Sequence, residues 1–212
     1  GELDMWEHAT KSLKGALEKR NLPFTVDEGG GAFYGPKIDI NITDALDRAW
    51  QCTTVQFDFN LPKRFDLTYQ DADGGRSQPY MVHRAILGSM ERFLGVLIEH
   101  YGGAFPLWLA PVQAVLIPIA DRHIEYCESV AKTLTEAGFR VEVDTRGERM
   151  GQKIRTAQMQ KVPYMLVSGD REAEAGAVAV RNREGEDLGA LPLDQFMTRL
   201  AEESQIPKGY LE

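Results

Sequence analysis

Residues His83–Arg92 combine small side chains with one arginine at a spacing that suits ligand binding. If the segment is helical, at about 100° per residue, Ala85, Gly88, Ser89 and Arg92 share one face. Small residues allow a flat or charged ligand to approach the backbone, while the guanidinium contacts a phosphate or carboxylate. The alternative is close helix packing with Arg92 extended to water, and this segment alone favours that alternative.

The opposite face of the same predicted helix is apolar and is expected to face the core. It carries Ile86, Met90, Phe93 and Leu97, again at helical spacing. Burial of each large aliphatic side chain contributes roughly 1.5–3 kcal/mol, so this face accounts for folding and leaves the small-residue face unexplained. Because His83 would point away from Arg92 on an ideal helix, we expect His83 to precede the helix.

Two predicted strands carry polar faces that could line a site. In residues 37–42 isoleucines alternate with polar residues that include Lys37. In residues 50–59, Thr54 and Gln56 point opposite to the apolar side chains. If both polar faces line one concavity, Lys37 contacts a phosphate, and Thr54 and Gln56 supply neutral hydrogen-bonding groups. A sheet face wetted by solvent is an equally good interpretation.

The elements that position these residues belong to the first of two predicted domains, which meet at a glycine- and proline-rich segment with the boundary near Ala110. Residues 1–110 predict an antiparallel sheet with helices. The predicted elements are a helix at Asp4–Arg20, strands at 37–42, 50–59 and Phe65–Tyr69, a turn at Asp71–Gly75, and the helix of the His83–Arg92 segment.

Residues 111–212 alternate strands with helices, which indicates a compact α/β domain with a mainly parallel sheet. The predicted strands are 112–119, 140–144, 162–168 and 178–182, and the predicted helices are 122–137, 150–160 and 193–203. The fold class of the whole chain is therefore α/β (α+β).

Basic residues concentrate in one part of this second domain. Between Arg146 and Arg183 they outnumber acidic residues by eight to four, although the whole chain has a net charge of -8. Arg149 and Lys153 are predicted to share a helix face. Clustered arginines fit contact with RNA bases and phosphates, because a guanidinium can both stack and form bidentate bonds. A solvated helix face is the alternative.

Composition excludes several classes of protein. With 212 residues, 43% of them hydrophobic, the chain can bury a sizeable core. Its two cysteines form no CxxC pair, so neither a disulfide framework nor a cysteine zinc site is indicated. The sequence has no apolar run of about 20 residues and no basic signal-peptide start. We expect a cytoplasmic protein with no membrane partner.

Four segments together resemble the threonyl-tRNA synthetase family, in order and at compatible spacing. They are Ala32–Asp39, Trp50–Phe59, His83–Phe93 and Pro106–Gln113. The resemblance covers essentially the whole chain. It implies the C-terminal part of an antiparallel class II synthetase catalytic sheet with helices, followed by the α/β anticodon-binding domain.

The activity implied by the resemblance is ATP-dependent ligation of L-threonine to tRNA(Thr) through a threonyl-adenylate, with Mg²⁺ accompanying ATP. The implied catalytic residues are Arg92, which contacts the ATP phosphates, and Lys37. The implied ATP-binding residues are Gln51, Thr54, Ser89 and Arg92, and the implied threonine-binding residues are Tyr34 and Gln56. Strand alternation gives Gln51 the opposite parity from Thr54, so it needs a bulge, a twist or a place at the strand's edge.

By the same resemblance, His83 matches the last of three zinc ligands, where Zn²⁺ binds the amino and hydroxyl groups of threonine. An open zinc site can reward a hydroxyl that isosteric valine lacks. We expect the other two ligands, a cysteine and a histidine, upstream of this chain, because Cys52 is no obvious substitute.

The resemblance assigns anticodon recognition to Arg155, Lys161, Glu172 and Arg181. Lys161 stands where some relatives carry arginine. Gly147 stands where many relatives carry asparagine, so any contact from that side chain is lost.

The first two class II signature motifs do not occur in the sequence, and we expect them upstream of Gly1 in a longer, homodimeric enzyme. The chain alone is then expected to be inactive. A non-catalytic accessory module that binds nucleic acid is the alternative, but a decayed site has no reason to keep Lys37, Gln56, His83 and Arg92 together. A sister synthetase for proline, glycine or histidine is a third interpretation, and His83 disfavours it.

Overall fold

A computed structural model describes residues 3–206, and its contacts divide the chain into two units, Gly1–Glu99 and His100–Glu212. The predicted boundary near Ala110 falls inside the second unit and stays a prediction. No helix among the described residues is long and apolar enough to cross a membrane.

The first unit is built on a three-stranded antiparallel sheet in the order β1-β2-β5. Its elements are α1 (Leu3–Lys19), β1 (Lys37–Thr43), β2 (Ala49–Asp58), α2 (Asn60–Arg64), β3 (Tyr69–Gln70), β4 (Arg76–Ser77), β5 (Met81–Ala85) and α3 (Met90–Tyr101). The antiparallel sheet with helices confirms the predicted fold of this part of the chain.

The predicted strand at Phe65–Tyr69 is wrong for most of its length. Asp66 adopts a positive φ of 49°, and the Leu67 amide donates to the Pro62 carbonyl, so the chain turns at the end of α2. Only Tyr69–Gln70 pairs, with β4. The predicted turn at Asp71–Gly75 is present, but it closes this small hairpin instead of leading into a helix.

The predicted helix across His83–Arg92 is also wrong, because strand pairing continues to Ala85 and α3 begins only at Met90. Gly88 separates the two elements with φ of 70°. A Cβ at Gly88 would lie 2.9 Å from the Cys52 carbonyl oxygen, so the backbone crosses β2 in close contact. The expectation that His83 precedes the helix is confirmed.

The apolar face assigned to that helix is only half covered. No residue of α3 is buried, and Met90 is 58% exposed. Ile86 lies before α3 and is 60% exposed. Phe93 and Leu97 are half-buried. The spacing therefore identified the apolar side correctly for the helix proper, but that side does not face a closed core in this chain.

The second unit is a five-stranded sheet in the order β10-β9-β8-β6-β7 with helices on both faces. Its elements are β6 (Ala114–Pro118), α4 (Ile124–Glu136), β7 (Val141–Val143), α5 (Met150–Met159), β8 (Tyr164–Ser168), α6 (Asp170–Ala175), β9 (Ala177–Asn182), β10 (Asp187–Pro192) and α7 (Leu193–Glu203).

This sheet is mixed, not mainly parallel. β6 pairs in parallel with β7 and β8, whereas β9 pairs antiparallel with β8 and with β10. A parallel crossover needs a dozen or more residues. The connection from Ser168 to Ala177 is shorter than that and holds only the short helix α6, so β9 returns antiparallel.

Alternate residues of the strands supply two separate cores. Leu116 and Leu166 face α4 and α7, where they pack with Leu134 and Phe196. The alternating residues, such as Ile117, face α5. Because alternate strand residues point to opposite faces of the sheet, their contacts determine which face each helix covers.

Candidate functional site

The strand register of the first unit aligns polar side chains in rows on one face of the sheet. Lys37 pairs with Gln56, and Gln56 pairs with His83 on the next strand. Asp39 pairs with Thr54 in the adjacent row. Directly opposed residues of antiparallel strands point to the same face, so these side chains share one surface.

A β-bulge brings Gln51 onto this surface. The register of β1 against β2 shifts between Ile40 and Asn41, so that Asn41 pairs with Gln51 and Cys52 is the extra residue. Gln51 Nε2 then donates to Thr54 Oγ1 at 2.9 Å. Of the three arrangements that could accommodate Gln51, the structure therefore has the bulge. Simple alternation would put Cys52 on the same face as Thr54 and Gln56, but after the shift Cys52 is buried.

Asp39 connects the polar side chains near Gln51. Its Oδ1 accepts hydrogen bonds from Gln51 Nε2 at 2.7 Å and from Thr54 Oγ1 at 2.7 Å. Its Oδ2 lies 2.6 Å from Lys37 Nζ. One carboxylate thus orders two of the predicted ATP-binding residues and the predicted catalytic lysine.

Tyr34 is placed by a loop that extends the sheet. The Phe59 amide donates to the Tyr34 carbonyl at 3.0 Å, and the Phe57 amide donates to the Pro36 carbonyl at 3.0 Å. Gly35 allows this close approach, since a Cβ there would lie 2.2 Å from the Phe57 carbonyl oxygen. The Tyr34 hydroxyl donates to Gln56 Oε1 at 3.0 Å, so the two predicted threonine-binding residues are in contact.

His83 faces a buried carboxylate. His83 Nε2 lies 2.8 Å from Asp58 Oδ2, and Asp58 Oδ1 accepts the backbone amides of Asn60 and Leu61. Burial raises the pKa of Asp58, but the hydrogen bonds from His83 and from the two amides outweigh it, so the pKa lies below its usual range. Asp58 is therefore an anion that orients the His83 ring.

A concavity of about 480 Å³ opens beside these residues. It is lined by Phe33, Tyr34, Gln56, Asp58, Asn60, Leu61, Arg64 and His83. Aromatic walls with a few convergent polar groups are typical of a small-molecule site. Within the described part of the chain, no group of three or more His, Cys, Asp or Glu side chains could hold a metal ion.

Ser89 and Arg92 lie at the start of α3, beside the part of β2 that does not pair with β5. Ser89 caps α3, because its Oγ accepts the Arg92 amide at 3.1 Å. Arg92 Nη1 donates to the Gln51 carbonyl at 2.9 Å. The Arg92 side chain therefore contacts the backbone of Gln51, whose own side chain lies on the polar face.

Sequence reasoning missed the contributions of three residues to this site. Asp58 follows the alternation of Thr54 and Gln56, which gave a signal for its position but none for its contact with His83. Asp44 and Trp50, which form a network next to Arg92, gave no signal, because their contact crosses a turn whose shape is not evident from composition.

In the second unit the predicted RNA-binding residues divide into two groups. Arg155 lies on α5, and Lys161 follows α5 with φ of 61°. Arg181 pairs with Met165, whose side chain packs toward α5, so Arg181 is on the same side of the sheet. Glu172 is apart from them in α6, and its Oε2 accepts the Gly169 amide at 2.9 Å.

The basic cluster is less uniform than its composition indicates. Lys153 is 5% exposed, and its ammonium donates to the Asp144 carbonyl at 2.9 Å, so it does not share an exposed face with Arg149. Arg146 and Arg181 each form an ion pair with a nearby aspartate. Within residues 3–206, Arg155 forms no ion pair, so its guanidinium is available to a partner.

Two family models match the chain. Residues 3–101 match the tRNA synthetase class II core domain (G, H, P, S and T), and residues 113–203 match the anticodon binding domain.

The relatives that match are considerably longer than this chain. A threonine–tRNA ligase of Sulfurihydrogenibium sp. (strain YO3AOP1) is 55% identical over 95% of this chain and 31% of the relative. One from Acidithiobacillus ferrooxidans is 55% identical over 100% of this chain and 33% of the relative. The chain therefore spans about a third of the length of these curated relatives.

Solved structures give the same result. The RNA binding domain of threonyl-tRNA synthetase from Cryptosporidium parvum Iowa II superposes with a TM-score of 0.87 at 40% identity, covering 98% of this chain and 53% of that one. A putative threonyl-tRNA synthetase from Aeropyrum pernix gives 0.68 at 31% identity, covering 98% of this chain and 52% of that one. The chain belongs to the threonyl-tRNA synthetase family, of which it comprises a class II core segment and the anticodon-binding domain.

Proposed function

We propose that the protein containing this chain ligates L-threonine to tRNA(Thr) at the expense of ATP. The observation that carries the proposal is the row formed by Lys37, Gln56 and His83 beside a concavity, with Arg92 at the open end of the same sheet. The names of relatives 55% identical to this chain support the choice of threonine.

In the first step a threonine carboxylate oxygen bonds to the α-phosphorus of ATP, and pyrophosphate leaves. Arg92 and Lys37 neutralise charge on the phosphates, with Mg²⁺ bound to ATP, while Gln51, Thr54 and Ser89 hold the adenylate. Lys37 is free to exchange Asp39 for phosphate, because partly exposed ion pairs contribute only about 0–1 kcal/mol. Positioning and charge stabilisation supply most of the rate in such a transfer.

In the second step a hydroxyl of the terminal adenosine of the tRNA bonds to the threonyl carbonyl carbon, and AMP leaves. Tyr34 and Gln56 hold the threonine during both steps. Their mutual hydrogen bond keeps the two side chains oriented before the substrate binds.

We propose His83 as one zinc ligand, with the other ligands outside this chain. Metal-bound histidines commonly donate their second ring nitrogen to a carboxylate, and the contact of His83 with Asp58 has that form. Bound zinc would supply a Lewis acid for the amino and hydroxyl groups of threonine. Asp58 holds the imidazole ring at the wall of the concavity.

For the tRNA, we propose that Arg155, Lys161 and Arg181 contact the anticodon from the α5 side of the second sheet. Glu172 would contact it from α6, where its carboxylate is already oriented by the Gly169 amide. A homodimer and a cytoplasmic location are proposed for the whole enzyme.

The test is threonine-dependent exchange of pyrophosphate into ATP by the longer protein that contains this chain. We expect exchange with threonine and none above background with valine. Arg92→Ala should reduce kcat/KM by at least about tenfold, since charged hydrogen bonds contribute about 1.5–3 kcal/mol. Arg76→Ala, an exposed arginine in the β3–β4 hairpin, is the matched control.

The 212-residue chain by itself is expected to show no exchange. Robust exchange by the chain alone would contradict the view that further segments complete the site. Exchange that is absent from the longer protein, or independent of threonine, would reject the proposed function.

A further inference from the structure

Trp50 lies in β2 beyond the last residue paired with β5, and its ring is flanked by two guanidinium groups. The Cζ atom of Arg92 is 5.7 Å from the ring centroid, and the Cζ atom of Arg48 is 5.8 Å from it. Both distances are within the range of a cation–π interaction, and tryptophan is the strongest partner for one.

The indole ring is fixed by a buried carboxylate. Trp50 Nε1 donates to Asp44 Oδ2 at 2.8 Å. Asp44 also accepts the Leu46 and Arg48 amides, each at 2.9 Å, and Arg48 Nε at 2.5 Å. Burial raises the pKa of Asp44, but these hydrogen bonds outweigh it and hold the pKa well below its usual range. Asp44 is therefore a permanent anion at neutral pH that sets the orientation of Trp50.

A second connection fixes the same network from α3. Arg48 Nη2 lies 3.3 Å from both carboxylate oxygens of Glu99, which is near the end of α3, the helix whose first turn contains Arg92. The turn between β1 and β2 and the helix α3 are thus tied together on either side of Trp50.

Arg92 meets this network with one of its N–H groups. Nη1 donates to the Gln51 carbonyl at 2.9 Å, which holds the guanidinium beside Trp50. Its other N–H groups have no hydrogen-bond partner within residues 3–206. A guanidinium held by a ring face and one carbonyl keeps most of its donors for a ligand.

We propose that Trp50, oriented by Asp44, is a positioning residue that holds the Arg92 guanidinium in place for the phosphates of ATP. The inference rests on the proposed function, in which Arg92 contacts ATP. Without the ring, Arg92 keeps its charge but samples more rotamers, so ATP must order it on binding. The effect is therefore expected on ATP and not on threonine.

The kinetic test uses the longer enzyme that contains this chain. Trp50→Leu should raise KM for ATP by about 2- to 30-fold, the range that corresponds to one cation–π interaction. KM for threonine should stay within about twofold. Trp50→Phe, which keeps a ring but loses the bond to Asp44, should have a smaller effect. Trp6→Leu is the matched control, because Trp6 packs on Phe59 at the opposite end of β2.

A double-mutant cycle separates positioning from general support of the fold. In an Arg92→Ala background, Trp50→Leu should add no further increase in KM for ATP, because the side chain it positions is absent. Additive effects, or equal increases in KM for ATP and threonine, would overturn the proposal.

A spectroscopic measurement on the 212-residue chain keeps the inference separate from the proposed function. The Arg92 Nε–Hε resonance should show a ring-current shift that Trp50→Leu removes and Trp6→Leu retains. If the wild-type enzyme lacks pyrophosphate exchange but the ring-current shift is present, the proposed function is rejected and the contact between Trp50 and Arg92 is retained. An unchanged shift in Trp50→Leu overturns the inference. Should Trp50→Leu not fold, Trp50→Phe and Asp44→Asn replace it in both experiments, and each should give a smaller rise in KM for ATP and a reduced ring-current shift instead of its removal.

Discussion

Individual side chains on the polar face are already ordered by one another. Asp39 binds Lys37, Gln51 and Thr54, and Asp58 binds His83. Side chains held in this way lose less conformational entropy when a ligand binds. The site therefore carries much of its geometry before substrates arrive, and Asp39 and Asp58 contribute that geometry without being predicted ligands.

Two arginines on the α5 side of the second unit are expected to contribute to RNA binding. Arg155→Ala and Arg181→Ala should each weaken binding of the cognate anticodon stem-loop by this chain, by about 1–3 kcal/mol if they contact bases. Arg181 must first leave its ion pair with Asp187, so its effect should be the smaller. Filter binding or fluorescence anisotropy across a salt series measures the loss.

The matched control for these variants is Lys132→Ala, an exposed lysine on α4, which covers the opposite face of the same sheet. It should change binding only through the general electrostatic contribution of one charge. Unchanged affinity in both arginine variants would remove them from the recognition site.

How far the sequence predicts these residues depends on whether strand alternation alone places them. It correctly places Lys37, Thr54 and Gln56 on one face, because side chains in a regular strand alternate strictly. Gln51 required a bulge, and alternation reveals the need for a bulge but not which residue becomes the extra one. The role of Trp50 depends on tertiary contacts across a turn, which a one-dimensional pattern does not contain.

Among the elements, α3 shows how a local pattern can be overruled. The spacing of small residues across His83–Arg92 fits a helix, but pairing of Ala85 with Thr54 extends the strand through the first three residues of that segment. Gly88 then makes the crossing of β2 possible. Tertiary pairing outweighs intrinsic preference wherever a segment can satisfy both patterns.

Substitution by alanine is expected to change stability in opposite directions at Gly88, which precedes α3, and at Gly95, which lies within it. Gly88→Ala should destabilise the chain by about 1–3 kcal/mol, because φ is 70° and the new Cβ would lie 2.9 Å from the Cys52 carbonyl oxygen. Gly95→Ala, inside α3 with no atom within 4 Å of the new Cβ, should stabilise it by about 0.5–1 kcal/mol. Urea unfolding followed by circular dichroism measures both. Equal effects of the two substitutions would contradict the described crossing.

The turn between β1 and β2 should lose stability in acid. The folded pKa of Asp44 lies below its usual value of 3.8, so the ionised carboxylate stabilises the fold above about pH 4, and this contribution disappears as the pH falls through the folded pKa. Asp44→Asn should remove that part of the dependence. Thermal unfolding between about pH 2 and 7 compares the two proteins. If the Asp44→Asn variant lost stability in acid as steeply as the unchanged protein, Asp44 would not contribute to the pH dependence of stability.

Across the whole described chain, buried apolar side chains are distributed very unevenly. In the first unit the buried apolar residues are Ala9, Pro36, Cys52, Phe59 and Pro62, while the second unit contains two continuous cores. Large exposed hydrophobic residues, among them Phe33, Phe65, Tyr69, Ile86 and Leu94, lie mostly in the first unit. Periodicity finds such apolar positions, but it does not indicate whether this chain supplies the surface that covers them.

The second unit should therefore be the more stable of the two. Amides of β6 and β8, where all five residues of each strand are buried, should exchange with solvent slowest, and amides of β1 and β5 should exchange by local opening at lower free energy. Hydrogen exchange followed by mass spectrometry compares them in one sample. Equal protection of the two sheets would contradict the uneven distribution of buried side chains.

A matched pair of side-chain truncations tests the same difference in stability between the two units. Leu166→Ala removes a fully buried side chain of β8 and should cost about 2–5 kcal/mol, because a cavity remains in a close-packed core. Leu94→Ala removes a leucine that is 44% exposed on α3 and should cost much less, since little surface is transferred from water at that position.

The polar face lies in the first unit, which is expected to be the less stable of the two. Ligands that bind this face should therefore raise the stability of the first unit by mass action and leave hydrogen exchange in β6 and β8 unchanged.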